Sequence, residues 1–347
     1  MVALKNVIRK NFFVIITLAL STGVLLYFLF TTNGIDTLGE IVAKLKLRWL
    51  FMAIASAMLC WIFEGFSLNM LCVHLYPKWN YNRSFCVGMI GLLYSALTPF
   101  STGGQPMQIY SMHKMGMDTG KAGSIIAVKT LTYQIIMVVY SLVLVAWKLR
   151  FFQTTVSNFS FVTIIGLISN STFILLVALF MISETTTDRI VNTSIRFLHK
   201  IKLCRHPKER YEKIHSQLEV FHGASKLMGH STKLYLPVLV ITVIQITLYS
   251  LIPYFIYRSF SMNSADILTM VAAQVFVAMV SAFVPLPGAS GGAEGSFYIF
   301  FGMFFGPAIL PAILLWRIIS YYANILFGAV FAYIARRYTI QKEILAN

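Results

Sequence analysis

Pro285-Leu286-Pro287-Gly288-Ala289-Ser290-Gly291-Gly292-Ala293-Glu294-Gly295 lies between apolar runs long enough to enter a lipid bilayer. Two prolines, four glycines and a carboxylate interrupt those runs. Proline removes a backbone donor and kinks a helix, and glycine admits conformations that other residues avoid. In hydrocarbon, unpaired backbone groups persist only where protein or a wet cavity satisfies them. The stretch is therefore expected to line a cavity inside the membrane. Thr98-Pro99-Phe100-Ser101-Thr102-Gly103-Gly104-Gln105-Pro106 has the same character. The rest of the chain reads as a scaffold for these two.

Composition supports that scaffold. Of 347 residues, 58% are hydrophobic and only 12% charged, against about 25% charged in soluble domains. This defines a polytopic membrane protein. The net charge of +16 fits basic residues gathered on the cytoplasmic side against anionic lipid, so no nucleic-acid partner is expected. Cys60, Cys72, Cys86 and Cys204 have no ligand spacing and imply neither disulfides nor a metal site. No cofactor is expected.

A membrane-crossing helix needs roughly 20 apolar residues. Such runs occupy about 12–30, 50–73, 122–147, 160–182, 234–257 and 308–335. The first follows Lys5, Arg9 and Lys10. It reads as an uncleaved span, because it is long for a signal peptide and lacks a small-residue cleavage site. The broken segments cover about 84–106 and 266–305. Residues 183–233 are polar and basic, and read as interfacial helices near Thr187–Ile201 and Pro207–Met228.

With re-entrant broken segments and a cytoplasmic N-terminus, twenty Lys and Arg fall on the cytoplasmic side and six outside. Both termini are then cytoplasmic. A shift of 188 positions places Gly103-Gly104 on Gly291-Gly292, Thr102 on Ser290, Lys129 on Arg317 and Tyr133 on Tyr321. The expected fold is one all-α polytopic membrane domain, 1–347, with about six full spans and two re-entrant hairpins in two inverted repeats. The first repeat covers 1–150 with broken segment 98–106. The second covers 160–182 plus 234–335 with broken segment 285–295, and 183–233 forms the basic loop. Matching broken segments in inverted repeats point to a midplane binding site.

Glu64, Lys129, Glu294 and Arg317 are the ionisable residues deep in apolar segments. A charge at the bilayer centre costs at least ~2.5 kcal/mol, so each needs a partner or a wet cavity. They form either structural ion pairs or a headgroup site in which Arg317 and Lys129 meet a phosphate. Gly103, Gly104, Gly291 and Gly292 either offer backbone N–H groups to an anion or permit close packing. Gln105 and Ser290 add side-chain hydrogen bonds. These ten residues are the candidate substrate site; none is assigned as catalytic or as a metal ligand. The seven histidines fall in polar connections and read as solvated or interfacial. Asp118 and Asp266 read as helix caps. Trp49, Trp79, Trp147 and Tyr257 read as interfacial belt anchors.

The two Gly/Pro stretches, Gly116-Met117-Asp118-Thr119-Gly120-Lys121-Ala122 and Trp316-Arg317 together resemble the lysylphosphatidylglycerol synthase transmembrane-region, or flippase-like domain, family. Ala289-Ser290 departs from that family's commoner Gly-Leu. The resemblance implies a multi-pass protein of the bacterial cytoplasmic membrane that moves an aminoacylated, glycosylated or otherwise modified lipid between leaflets. It is similar to the membrane module of multiple peptide resistance factor, a module tied to antimicrobial peptide resistance, without the soluble aminoacyl-transferase domain. Synthesis of lysyl-lipid is therefore not expected. Expected partners are a phospholipid or glycolipid substrate and the membrane itself; a separate lipid-modifying synthase and a second copy of the chain are further candidates. The alternatives are a non-transporting partner of such a synthase, or an integral-membrane transferase using Glu294 as its acid or base.

Overall fold

The computed structural model describes residues 45–155, 159–201, 206–229, 231–282 and 284–346, together with Gly23. The expected span 12–30, apart from Gly23, and Cys204 lie outside these residues. Among the described residues, twelve α-helices run in order: α1 Leu47–Leu75, α2 Tyr81–Leu97, α3 Gly104–Lys114, α4 Thr119–Thr155, α5 Phe159–Ile182, α6 Glu184–Lys200, α7 Pro207–Gly229, α8 Thr232–Ser259, α9 Ile267–Ser281, α10 Gly292–Phe305, α11 Ile309–Arg317 and α12 Ala323–Ala346. The described residues contain no strand. Among the described residues, four helical stretches are long and apolar enough to cross a membrane: Leu47–Leu75, Thr119–Thr154, Leu234–Ser259 and Pro287–Arg336. There are up to five if the bent pair Gly166–Ile182 and Glu184–Lys200 counts as one.

The helix boundaries follow local chemistry. Asn80 caps α2 by accepting the Arg83 N–H at 3.1 Å. Asp266 caps α9 through the Thr269 N–H at 3.2 Å and also accepts Lys148 Nζ at 3.0 Å, tying the end of α4 to the start of α9. At Asp118 the backbone carbonyl accepts the Ala122 N–H at 2.9 Å, opening α4.

Both broken segments are helix–turn–helix hairpins. Pro99–Ser101 and Pro287–Ala289 each form a short 3₁₀ turn, 188 positions apart. The middle residues, Phe100 and Gly288, have φ of 53° and 61°. The next, Ser101 and Ala289, have φ of 55° and 53°. Helices α3 and α10 start at Gly104 and Gly292, again 188 apart. The two turns pack against each other. At ~1.5 Å per residue, α3 and α10 are too short to cross a ~30 Å core alone.

Two hydrophobic cores hold the hairpins. One joins Phe276 of α9, Phe297, Phe300 and Phe301 of α10 and Trp316 of α11. In it, Phe297 stacks on Phe301 at 4.3 Å and on Trp316 at 4.7 Å. The other joins Leu68 and Leu71 of α1, Val87 and Ile90 of α2, Met112 of α3, Ile125 of α4 and Ala335 of α12. The most extensive helix contacts cross between the two halves of the sequence, α1 with α8 and α2 with α12.

Three expectations need correction. The run 308–335 is not one uniform helix: π-helical turns occupy Ile318–Tyr322 immediately after Arg317. Trp79 and Tyr257 are core residues rather than belt anchors. Trp79 Nε1 donates to Ser84 Oγ at 2.8 Å, and the Tyr257 hydroxyl accepts the Ser264 and Ala265 N–H groups at 3.1 Å. A buried ring needs a partner for its polar atom, and these two have one. His222 is also buried, with Nδ1 3.1 Å from the Met181 carbonyl.

The basic 183–233 region forms α6 and α7. Helix α6 leaves α5 at 98°, and α7 lies along α4. There the Gly120 N–H donates to Gln217 Oε1 at 3.0 Å and Ser225 Oγ to Ser124 Oγ at 3.1 Å.

Candidate functional site: a cavity between the broken turns

A cavity of about 1260 Å³ lies among the helices and reaches both broken turns. Glu64, Lys129, Arg317, Gly104 and Gln105 line it. Glu294 stands behind Arg317, almost fully buried. Gly103, Ser290, Gly291 and Gly292 shape the turns without lining the cavity.

The four charged residues resolve into two pairs. Lys129 pairs with Glu64 through Oε1. Gln108 of α3 donates Nε2 to the same oxygen at 3.4 Å, and Gln245 of α8 donates to Oε2 at 3.2 Å. One carboxylate thus draws α1, α3, α4 and α8 together. In the second pair, Arg317 Nε donates to Glu294 Oε1 at 2.7 Å. Glu294 Oε2 accepts the Gly291 N–H at 2.7 Å, at the start of α10. Arg317 Nη1 donates to the Gly288 carbonyl at 3.1 Å, so the guanidinium staples α11 to the second turn. Its Cζ lies 5.1 Å from the ring centres of both Trp316 and Tyr321. The pairs cancel, so the wall carries no net fixed charge from these four residues. Each ion is paired and hydrogen-bonded, as burial demands.

The glycines are explained by packing and backbone. A Cβ on Gly104 would collide with Ser95 Oγ and sit 2.7 Å from the Gly91 carbonyl. One on Gly292 would collide with Val284, and one on Gly103 with Thr98. Gly291 has open space around it but a φ of 85°, which glycine adopts at little cost. Two of the amides expected to face an anion are engaged internally: Gly103 N–H donates to Thr98 Oγ1 at 2.8 Å, and Gly291 N–H to Glu294.

Apart from Gln105, sequence reasoning passed over the carboxamide lining. Gln108, Gln134, Gln245, Gln274, Asn170 and Asn324 all face the cavity. Five of them interrupt apolar helices, which was the available signal; Gln108 lies in the short and more polar α3. The matched position of Lys129 and Arg317 was legible, and so were Glu64 and Glu294 as the acids beside them, but not which acid meets which cation: Glu64 comes from α1 and Glu294 from the first turn of α10.

An all-helical protein with several membrane-length helices, two broken hairpins and a cavity walled by buried ion pairs belongs to the class of integral membrane proteins. The chain belongs to the lysylphosphatidylglycerol synthase TM region family, whose profile matches residues 14–328. It is also 23% identical over 304 residues to a protein of Archaeoglobus fulgidus described as a UPF0104 membrane protein, an alignment covering 82% of this chain and 86% of that one.

Proposed function

We propose that this protein is a lipid translocase, moving a modified lipid between leaflets of a bacterial cytoplasmic membrane. The cavity carries the reading: it is large enough for a headgroup, and its polar wall lies among membrane-length helices. The headgroup would sit by the broken turns while the acyl chains remain in the bilayer. The shared 188-position offset of the two turns supports an arrangement of inverted repeats. Such repeats rock or gate around a fixed site in transporters. Both termini would be cytoplasmic. The family's printed description supports a lipid-related role. The integral-membrane transferase is disfavoured by Glu294, whose two oxygens are engaged by Arg317 and the Gly291 N–H.

The test is movement of fluorescent lipids across proteoliposome membranes. Protein-dependent exchange of a headgroup-modified lipid, slowed at least about ten-fold by Arg317→Ala, is expected. Rates equal to empty vesicles would refute translocation. Rates indifferent to Glu294→Gln and Arg317→Ala would refute the site.

A further inference from the structure

We infer that the headgroup received by the cavity is an uncharged glycosyl group, so that the substrate is a neutral glycolipid; this rests on the translocase reading above. The fixed charges make the first argument. Lys129 is neutralised by Glu64 and Arg317 by Glu294. A cationic aminoacyl headgroup would find no uncommitted carboxylate among these residues. An anionic headgroup would have to take a cation from a carboxylate already hydrogen-bonded in place. A charge brought into a low-dielectric site without its own partner is expensive, and breaking a buried pair to supply one costs more.

The neutral lining makes the second argument. Besides Gln105, six further carboxamides border the cavity: Gln108, Gln134, Gln245, Gln274, Asn170 and Asn324. A carboxamide offers donors and an acceptor together, and a sugar hydroxyl is likewise both. Glu64 fixes two of these groups by accepting Nε2 of Gln108 and of Gln245, at 3.4 and 3.2 Å. Among the described residues, neither of their carbonyl oxygens accepts a hydrogen bond, so both are oriented and free. The rings of Trp61, Tyr133 and Tyr249 share the wall and offer flat apolar faces to the C–H side of a pyranose.

Gln274 makes the third argument. Its side chain is fully buried beside the cavity, and both Nε2 and Oε1 lack a partner. An amide buried without hydrogen bonds is a liability that native proteins seldom keep without a reason. Arg317 Nη2 and Trp316 Nε1 are also buried donors without partners. With the guanidinium charge already met by Glu294, Nη2 is left as a directional donor for a hydroxyl. A polyhydroxylated ligand satisfies donors and acceptors at once, which a lone ammonium or a lone phosphate cannot do. The volume of about 1260 Å³ exceeds the ~300–1,000 Å³ usual for small ligands, leaving room for a sugar headgroup with the upper part of its lipid.

The full chain, purified in detergent, would be titrated with three fluorescent-acyl lipids: glucosyl-diacylglycerol, lysyl-phosphatidylglycerol and phosphatidylglycerol. Glucosyl-diacylglycerol is expected to bind at least about ten-fold more tightly than the other two, and Gln274→Leu to weaken it about ten-fold. Gln134→Leu, at a less buried position, is the second variant should Gln274→Leu not fold. Tighter or equal binding of either charged lipid, or glucolipid binding indifferent to the variant that folds, overturns the inference. The same lipids in proteoliposomes separate the two proposals. Glucolipid that binds selectively but does not cross refutes translocation and keeps the headgroup assignment. Lysyl-phosphatidylglycerol that binds best and crosses does the reverse.

Discussion

Arg317 holds Glu294 at 2.7 Å, and the same carboxylate holds the Gly291 N–H at 2.7 Å, so one side chain joins the end of α11 to the start of α10. Both residues are nearly fully buried. Replacing only Arg317 leaves a carboxylate stranded. Arg317→Met is expected to cost about 3–5 kcal/mol. The double variant Glu294→Gln/Arg317→Met is expected to cost less than the two singles combined. Denaturant titration in micelles measures this, and additive effects would show the residues to be uncoupled.

Two glycines provide opposite expectations. Gly104→Val drives a side chain into Ser95 and the Gly91 carbonyl. It should part α2 from α3 at a cost of about 1–3 kcal/mol. Gly295→Ala meets nothing within 4 Å inside α10 and should gain up to about 1 kcal/mol from helix propensity. Melting temperatures of the purified variants, moving down and up respectively, check the pair.

The broken turns hold non-glycine residues in the left-handed region, a small store of strain. Ala289→Gly, at φ 53°, is expected to gain roughly 0.5 kcal/mol, the relieved Cβ strain outweighing the extra freedom of the unfolded chain. Gly291→Ala, at φ 85°, is expected to lose about 1 kcal/mol despite the open space around it. Equal melting temperatures for the two variants would show that the turn backbone relaxes freely.

The α6–α7 hairpin carries an acid-sensitive clasp. Asp188 accepts the Tyr211 hydroxyl at 2.8 Å and lies 2.9 Å from His215 Nδ1. These hydrogen bonds, Tyr211's first, hold the Asp188 carboxyl below its ordinary value and push the Tyr211 hydroxyl up. A depressed carboxyl stabilises the folded state above its unfolded pKa of about 4 and loses that contribution as pH falls through the folded value. Protection of α7 amides from hydrogen exchange, relative to the unstructured rate at the same pH, should therefore fall below about pH 4. Asp188→Asn should exchange faster at neutral pH and lose that dependence. A variant with an unchanged pH profile would show the clasp to be idle.

Four of the expected spans, 50–73, 122–147, 234–257 and 308–335, and both breaks were legible because lipid imposes long apolar runs, and a run with two prolines and several glycines cannot continue as a helix. The two basic helices were equally plain from their spacing, and α6 and α7 lie within a few residues of the expected ranges. Pairing was not legible. Nothing local says that Glu64 meets Lys129 rather than Arg317, because α1 and α4 are brought together only by packing. The π-turns after Arg317 were hidden too, since no proline or glycine marks them. Trp79 and Tyr257 misled for a related reason: an aromatic residue at the end of an apolar run anchors at an interface or turns inward, and only the neighbours decide.

The contact of α2 with α12 has a consequence for how the protein is made. Helix α2 emerges from the ribosome long before α12, the described helix it packs against most extensively, and α1 likewise awaits α8. Neither half of the chain can complete its packing during its own synthesis. The early helices must wait in the bilayer, or at the insertion machinery, until more than two hundred further residues follow α2. Completing this packing is thus a late event that requires α12, and truncation within α12 would leave the first hairpin unfinished.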